Sequence, residues 1–374
     1  SLAANPAQPG SQHYDPAYAA ANPAARWLAV EAASVGGLVQ AELELAFESR
    51  FAVADEVHGV AFLAGGARLA VTDVSGKLTV RDLDHDAARP LLDDGAAWAD
   101  SPRELAESVD VVITCLPSPA ACATVMEADD GVLAGLRPGA VWMEMSTTDD
   151  AEVRRLGAEV AARSASPVDC PVSGGCHRAA TGNISIFAGC DRETFERILP
   201  VLTVLGRRVL HTGPLGSASV LKVVTNYLAT ANLLSLAEAL ATSKAAGMDM
   251  NTAYEAIRIS SGNSFVHETE SQVILNGSRD INFTMDLVLK DIGLFQDIAD
   301  RAGVPLELNP LMIGVFRDAA ARYGERSWSD DVIRRLEDAT GLSVTAPGFP
   351  SELIDDEPEV PGAETGAGAA RRAF

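Results

Sequence analysis

The middle of the chain alternates short runs of β-branched and apolar residues with segments of helical spacing. The runs read GVAFL at 59–63, KLTVR at 77–81, VDVVITCL at 109–116, AVWMEM at 140–145, SPVDC at 166–170, NISIFA at 183–188 and a last strand at 208–211. Such alternation is typical of a parallel sheet covered by helices. It predicts an α/β fold with a doubly wound parallel sheet at residues 56–214.

Beyond Gly216 the pattern changes to long helical segments with few strands. The first of them reads SASVLKVVTNYLATANLLSLAEALATSKAAG. A helix of this length and apolarity must be buried on most of its sides. The sequence therefore predicts an all-α C-terminal domain at residues 215–340, for substrate binding and dimerisation, with this helix as its spine.

Three flanking segments complete the predicted organisation. Residues 1–22 mix Pro, Ala, Gly and polar residues without a period, which predicts a flexible arm. Apolar residues then recur every three to four positions, which predicts an added N-terminal helix at 23–55. Residues 341–374 are rich in Pro, Gly and acidic residues, and they predict a flexible acidic tail.

Composition excludes several classes of function. The chain has 52 acidic and 29 basic residues and a formal net charge of −23, which repels nucleic acid and anionic lipid. No run reaches the roughly 18 apolar residues of a membrane span, and the first residues lack a secretory signal. We therefore expect a cytoplasmic protein with no nucleic-acid or membrane partner. The five cysteines form no CxxC pair, and no set of side chains has metal-ligand spacing, so no metal is expected.

Lysine is rare, with Lys77, Lys222, Lys244 and Lys290 set against 25 arginines. These numbers indicate a bias toward arginine in place of lysine. A lysine that is kept despite this bias is a candidate for proton chemistry that arginine cannot supply, although its retention by chance at the surface is an equal alternative. Lys222 and Asn226 are four residues apart and so share one helix face. Burial in an apolar helix lowers the pKa of a lysine toward the range of a useful acid or base. Lys290 begins the pattern KDIGLFQDIA and is predicted at the head of a helix.

The loop after the strand at 166–170 reads DCPVSGG at residues 169–175. In an open α/β sheet, ligands bind at the carboxyl ends of the strands. Ser173, Gly174 and Gly175 offer consecutive backbone N–H groups and a hydroxyl, a combination that suits a carboxylate. A plain tight turn is the alternative interpretation of these three residues.

Asp82 follows the strand at 77–81. An acidic residue at this position accepts hydrogen bonds from both ribose hydroxyls of an adenosine and repels a 2′-phosphate. It therefore predicts NAD, with NADP disfavoured. The alternative is a turn or helix-cap residue, and the neighbouring Arg81 would soften the selection.

Taken together, the motifs resemble the β-hydroxyacid dehydrogenase family, which includes 3-hydroxyisobutyrate dehydrogenase and tartronate semialdehyde reductases. They occur in the family's order between about residues 78 and 336: the CLPS and STT turns, DCPVSGG with Gly182, the spacing of Gly216, Lys222 and Asn226, and Lys290-Asp291 with Gly293 and Leu294. The resemblance implies a Rossmann-type domain followed by a helical domain. It also implies a nicotinamide-dependent oxidoreductase that transfers hydride to or from a small β-hydroxy acid or its semialdehyde.

Residue roles follow from the same resemblance. The turn at 173–175 would hold the substrate carboxylate, Lys222 would donate or accept the proton, and Asn226 would orient the substrate. Lys290 would lie near both the nicotinamide and the substrate. The loops at Leu116-Pro117 and at Thr147 would contact the cofactor.

One segment departs from the family pattern. Residues 62–69 read FLAGGARL without a GxGxxG turn, and the helix expected before Gly76 is shortened. Gly65 and Gly66 would still let the backbone approach a pyrophosphate, and Arg68 would add a charge-assisted bond to it. We therefore expect weakened binding of NAD.

Two classes of function remain open on the sequence alone. The first is an active dehydrogenase that takes a small-molecule carboxylate and assembles as a homodimer or higher homo-oligomer. The second is a catalytically silent binding or scaffold protein of the same fold. An imine-reductase-like activity is disfavoured, because the imine-reducing relatives replace the lysine that this chain keeps at position 222.

Overall fold

The computed structural model describes residues 78–358 and 360–366 in full and the backbone of residues 68–72. The predicted arm at 1–22, the added helix at 23–55 and the strand at 59–63 lie outside the described residues. The chain divides into two compact units. Of the described residues, the first contains those up to Lys222 and those from Asp356 onward, and the second is Val223–Asp355.

Ten strands occur within the described residues. They are β1 (Arg68–Thr72), β2 (Leu78–Asp82), β3 (Ala97–Trp98), β4 (Val111–Cys115), β5 (Val141–Glu144), β6 (Ser166–Asp169), β7 (Val172–Ser173), β8 (Ser185–Gly189), β9 (Arg208–Gly213) and β10 (Ala363–Thr365). They form one sheet in the order β10-β9-β8-β6-β5-β4-β1-β2-β3, and β7 pairs with β8.

Most neighbouring strands run parallel. The parallel pairs are β2–β3, β4–β5, β5–β6, β8–β9 and β9–β10, whereas β6–β8 and β7–β8 are antiparallel. The doubly wound sheet predicted from the sequence is confirmed.

Strand β1 departs from the prediction, because it runs antiparallel to both β2 and β4. The sequence predicted a shortened helix over these residues, and that prediction is wrong. The reason is the length of the connection to β2, which is limited to residues 73–77. A parallel crossover needs a dozen or more residues, whereas a short connection suffices for an antiparallel pair.

The sheet is buried on both faces. In β4, Val111 and Ile113 join one apolar core and Val112 joins the other. In β5, Met143 and Trp142 divide in the same way. Successive side chains of a strand point to opposite faces, so these continuous apolar runs require helices on both sides of the sheet.

The helices alternate with the strands in the first unit, and the second unit consists mainly of helices. Those of the first unit are α1 (Arg89–Asp93), α2 (Pro102–Ser108), α3 (Pro119–Glu127), α4 (Val132–Gly135), α5 (Asp150–Ala162), α6 (Cys176–Ala179) and α7 (Arg192–Leu205). Helix α8 (Ser217–Ala245) begins in the first unit and continues into the second. The second unit adds α9 (Met250–Arg258), α10 (Phe265–Asn276), α11 (Met285–Ala302), α12 (Leu308–Tyr323) and α13 (Arg334–Thr340).

The second unit is helical, as predicted. Its core contains Leu240 of α8, Ile292 of α11 and Phe316 of α12, all fully buried. Among the residues described in this unit, β structure is limited to an isolated bridge between Thr284 and Trp328. The all-α second domain is therefore confirmed.

Helix α8 is long and apolar enough to cross a membrane by length and composition, although only 28% of its most apolar window is buried inside the structure. These two properties are weak evidence for a membrane span, since the core helix of a soluble protein shares them. The exposed part of α8 includes Leu221 and Leu228, with 40% and 53% of their surfaces exposed.

The predicted flexible acidic tail requires correction over residues 356–366. Strand β10 lies in this segment and pairs in parallel with β9. Both terminal nitrogens of Arg192 donate to the carboxylate of Glu364, at 2.7 and 3.0 Å. The acidic composition that suggested a solvated tail instead supplies the partner of an arginine on α7.

Candidate active site

The turn at 173–175 has a backbone that depends on glycine. Ser173 ends β7 and pairs with Ser185 of β8. Gly174 and Gly175 have φ angles of +137° and +87°, in a region that residues with side chains rarely adopt. A Cβ added to Gly175 would also lie 2.9 Å from a ring carbon of His177. Such a turn can present successive N–H groups to an anion.

Asp169 connects the strand before this turn to the start of α8. Its Oδ1 accepts a hydrogen bond from the Gly216 backbone N–H at 2.9 Å, and its Oδ2 accepts one from Ser219 N–H at 2.8 Å. Asp169 is fully buried, and burial raises the pKa of its carboxyl, while the two N–H donors act to lower it. One carboxylate at the end of β6 therefore fixes the first turn of α8.

Lys222 follows this tethered turn directly. It lies on α8 with 9% of its surface exposed, in agreement with the expected burial of a lysine in an apolar helix. The residues that position it are all in the first unit, as is the turn at 173–175. Lys222 was predicted from the sequence, whereas the anchoring role of Asp169 for its helix was not.

Asn226 and Lys290 meet at one carboxylate in the second unit. Asn226 Nδ2 donates to Asp291 Oδ2 at 2.6 Å, and Lys290 Nζ lies 2.9 Å from Asp291 Oδ1. The Asp291 side chain is 2% exposed. The structure therefore brings these two predicted residues together through Asp291, which the sequence analysis had quoted only as part of a motif.

The predicted place of Lys290 at the head of a helix is wrong. Helix α11 begins at Met285, so Lys290 lies more than one turn inside it. The physical reason is apolar spacing that continues upstream, where Met285 and Val288 are both buried in the helical core.

The loops after β4 and β5 are joined by a hydrogen bond. Leu116 N–H donates to Ser146 Oγ at 2.7 Å. Pro117 is exposed and Thr147 is partly exposed, so both predicted cofactor contacts lie at the surface, at the carboxyl edge of the sheet. This edge is where a nucleotide binds in an open α/β sheet.

Glu144, at the end of β5, contacts residues of both loop regions, and this role was not predicted from the sequence. Its Oε1 accepts from Ser146 N–H at 2.8 Å, and its Oε2 accepts from the Thr114 hydroxyl at 2.6 Å and lies 2.8 Å from Cys122 Sγ. Burial raises the pKa of the Glu144 carboxyl. Burial and the nearby Glu144 raise the pKa of the Cys122 thiol, which therefore stays protonated and can donate.

Asp82 lies at the end of β2 with 6% of its surface exposed. Its Oδ1 accepts from Asp84 N–H at 2.9 Å, so the turn role left open by the sequence is present. The Arg81 guanidinium donates to the Asp82 carbonyl oxygen and lies 5.0 Å from the centre of the Trp98 ring. A carboxyl at this sheet edge fits the ribose of a nicotinamide dinucleotide.

The predicted pyrophosphate residues are described in part. Gly65 and Gly66 lie outside the described residues, and Arg68 is described by its backbone. In the strand register Arg68 lies opposite Asp82 on one side and Cys115 on the other. Since these residues end β2 and β4, the first residue of β1 lies at the carboxyl edge of the sheet. Among the described residues, no group of three or more His, Cys, Asp or Glu is arranged to hold a metal.

Two family models match consecutive parts of the chain. The NAD binding domain of 6-phosphogluconate dehydrogenase matches residues 62–213. The NAD-binding domain of NADP-dependent 3-hydroxyisobutyrate dehydrogenase matches residues 216–336. The first match includes Gly65 and Gly66, and the second includes Lys222, Asn226 and Lys290.

Known proteins resemble the chain over the same region. The 2-(hydroxymethyl)glutarate dehydrogenase of Eubacterium barkeri is 33% identical over 252 residues, which are 67% of this chain and 84% of that protein. The NAD-dependent L-serine dehydrogenase of Pseudomonas aeruginosa is 33% identical over 271 residues, or 70% of this chain and 90% of that one. The crystal structure of 3-hydroxyisobutyrate dehydrogenase from Salmonella typhimurium has a TM-score of 0.62 at 29% identity, covering 68% of this chain and 89% of that chain.

Proposed function

Because the chain belongs to the β-hydroxyacid dehydrogenase family, we propose that it oxidises a small β-hydroxy acid with NAD, or reduces the matching semialdehyde in the opposite direction. The observation that carries this proposal is the Asp169 tether. The strand end that leads into the turn at 173–175 also holds the start of the helix that contains Lys222. One carboxylate thus links the proposed substrate-binding turn to the proposed proton-transfer residue.

The reaction divides between these two elements. Oxidation breaks the C–H and O–H bonds of the alcohol and forms the carbonyl, and a bound nicotinamide supplies the acceptor of the hydride. Lys222 as a neutral amine takes the hydroxyl proton, and in the reductive direction its ammonium returns the proton. The N–H groups and the hydroxyl of residues 173–175 hold the carboxylate, which fixes the position of the neighbouring alcohol carbon.

Asn226 and Lys290 have the two remaining roles in this proposal. Asn226 orients the substrate, and Lys290 lies near the nicotinamide and the substrate. Support comes from Asp291, whose carboxylate contacts both side chains and holds each in one position. A shared anchor of this kind limits the rotamers of both residues before the ligand binds.

NAD is the proposed cofactor, with NADP disfavoured. The family matches support a nicotinamide dinucleotide, and the acidic Asp82 at the end of β2 supports the form without a 2′-phosphate. Arg81 is engaged by the Asp82 carbonyl oxygen and the Trp98 ring, which supports the same choice. Leu116, Pro117 and Thr147 are proposed to contact the cofactor, with Gly65, Gly66 and Arg68 at its pyrophosphate.

The proposed substrate is a small carboxylate with a β-hydroxyl group. The names of two relatives, an L-serine dehydrogenase and a 2-(hydroxymethyl)glutarate dehydrogenase, support this class. Lys222 supports alcohol and carbonyl chemistry over imine reduction, because an amine can exchange the proton of a hydroxyl group.

We also propose that the protein is a cytoplasmic homodimer or higher homo-oligomer. The exposed Leu221 and Leu228 on α8 support a second copy as the partner of this helix. The net charge of −23 supports the absence of nucleic-acid and anionic-membrane partners.

Steady-state assays of NAD reduction test the function. The panel contains L-serine, 3-hydroxyisobutyrate and 2-(hydroxymethyl)glutarate, with the corresponding alcohols lacking the carboxylate as negative controls. We expect turnover with at least one acid and none with the carboxylate-free alcohols. Absence of NAD- or NADP-dependent turnover with every acid would contradict the proposal and leave the scaffold function.

Ser173→Ala tests the substrate-binding turn within the same assay. Its expected effect is a higher KM with little change in kcat, because a carboxylate is held equally in the ground state and the transition state. Ser166→Ala, at the start of β6, is the matched control and should leave both constants unchanged. A fall in kcat alone would remove Ser173 from the binding role.

A further inference from the structure

The segment at 356–366 lies beyond residue 336, where the family match ends, and packs on the first unit. Besides the pairing of β10 with β9, Gly362 lies so close to the end of α7 that an added Cβ would be 2.3 Å from the Thr203 carbonyl oxygen. Contact this close fixes the path of the segment at Gly362. The residues before it are therefore held near β9 and the loop that precedes it.

Glu357 connects this segment to two arginines. Its Oε1 accepts from Arg178 Nη2 at 2.5 Å, and its Oε2 accepts from Arg207 Nη1. The Glu357 carbonyl oxygen also accepts from Asn183 Nδ2 at 3.1 Å. A carboxylate that uses both oxygens on two guanidinium groups is held in one orientation, and it fixes both arginines in turn.

Arg178, which is bound by Glu357, also packs against the turn at 173–175. Gly174 is so close to this side chain that an added Cβ would lie 3.3 Å from Arg178 Cδ and 3.5 Å from Arg178 Cβ. The aliphatic stem of the arginine therefore covers the glycine, while its guanidinium is held by Glu357. Movement of this stem would release one side of the turn.

We propose that Glu357 is a positioning residue that holds the substrate-binding turn through Arg178. The inference rests on the proposed function for the role of the turn, whereas the packing of Glu357, Arg178 and Gly174 stands without it. A segment outside the family match thus supports the site from the edge of the sheet. The expected consequence of its loss is weaker carboxylate binding, because the turn would be ordered only when substrate arrives.

Glu357→Gln removes the charge with little change of size. Glu364→Gln is the matched control, since it removes a paired carboxylate from the same segment, where the partner is Arg192 on α7. Glu357→Asp, which keeps the charge on a shorter stem, tests rescue. Two readouts are measured on the full chain: hydrogen–deuterium exchange of residues 172–182, and the KM and kcat for the acid that gives turnover.

We expect Glu357→Gln to raise the exchange rate of residues 172–182 and to raise KM about fivefold with kcat unchanged. Glu357→Asp should restore part of the KM. Glu364→Gln should increase exchange at 363–365 without either effect. Equal exchange at 172–182 in both glutamine variants would overturn the inference, as would increased exchange with an unchanged KM. If the wild type shows no turnover, the proposed function fails, and the exchange comparison alone decides whether Glu357 holds the turn.

Discussion

Lys222 is the residue on which the proposed chemistry depends. A methionine of similar length removes proton exchange while keeping the apolar contacts of the stem. We expect Lys222→Met to lower kcat by about two to four decades with the affinity for NAD nearly unchanged. Lys244→Met, near the other end of α8, controls for the loss of a lysine from the same helix. If Lys222→Met kept more than about a tenth of the wild-type rate, Lys222 would not be the general acid or base of the reaction.

Glu270 and Asp330 give the second unit a dependence on pH. Burial raises the pKa of Glu270 to about 7. Burial and the charge of Glu270 raise the pKa of Asp330, which is fully buried. The folded state therefore keeps a proton on Glu270 up to about pH 7, whereas an unfolded chain releases it at about pH 4.3. Since the folded state binds more protons within this window, stability falls as pH rises through it.

Glu270→Gln should reduce this dependence. The free energy of unfolding in urea, measured at about pH 5 and about pH 8, should fall by on the order of 2 kcal/mol more in the wild type than in the variant. The exposed Glu268 provides the control Glu268→Gln, which should keep the wild-type slope. Identical slopes in the wild type and Glu270→Gln would show that Glu270 ionises normally in the folded protein.

The sequence predicted residues with unusual local chemistry and missed those that position them. Lys222 was found because lysine is rare, and residues 173–175 because consecutive glycines are a local signal. Asp291 was not singled out, since its bond with Asn226 spans 65 residues. The spacing of neighbouring residues does not predict a contact between distant residues. It does predict strands and helices, because each of these has a characteristic period of apolar residues.

At the scale of elements, the Asp169 bonds predict a coupling between β6 and α8. Asp169→Asn keeps one acceptor but turns its amide group toward the second backbone N–H, leaving a buried donor without a partner. We expect a loss of about 2 kcal/mol of stability, measured by urea unfolding, and a lower kcat because Lys222 is displaced.

Asp149→Asn is the matched control for this prediction. Asp149 caps the start of α5 by accepting from the backbone N–H groups of Ala151 and Glu152. Aspartate and asparagine are nearly equivalent as helix caps, so this variant should be close to neutral. If Asp169→Asn were equally harmless, the tether would contribute nothing to the position of α8.

The elements themselves were largely predictable, and their directions were less so. Strands β4, β5 and β6 follow the predicted apolar runs because each is buried on both faces. The antiparallel direction of β1 follows from the short connection between β1 and β2. The periodicity of apolar residues does not predict the direction of a strand. The start of α11 was placed too late because the lysine was taken as a boundary, although the apolar spacing begins at Met285.

At the scale of the whole molecule, composition predicted the acidic surface but misplaced the C-terminal segment. Proline, glycine and acidic residues indicated a flexible tail, yet Glu357 and Glu364 pair with arginines of the first unit. The contact between Arg178 and Glu357 joins residues 179 positions apart. A contact of this separation is decided by the folded surface, which offers an edge strand and several arginines to an acidic segment.

The central claim is that the whole chain binds a nicotinamide dinucleotide despite its departure from the GxGxxG turn. Isothermal titration calorimetry of the full chain with NAD tests this most directly, with NADP as the comparison. We expect a heat of binding with a Kd for NAD in the high micromolar to millimolar range, because residues 68–72 form strand β1 and so do not offer the N–H groups of a helix start to the pyrophosphate. Binding of NADP should be weaker because of Asp82. Absence of binding heat with either cofactor at several millimolar would contradict the account.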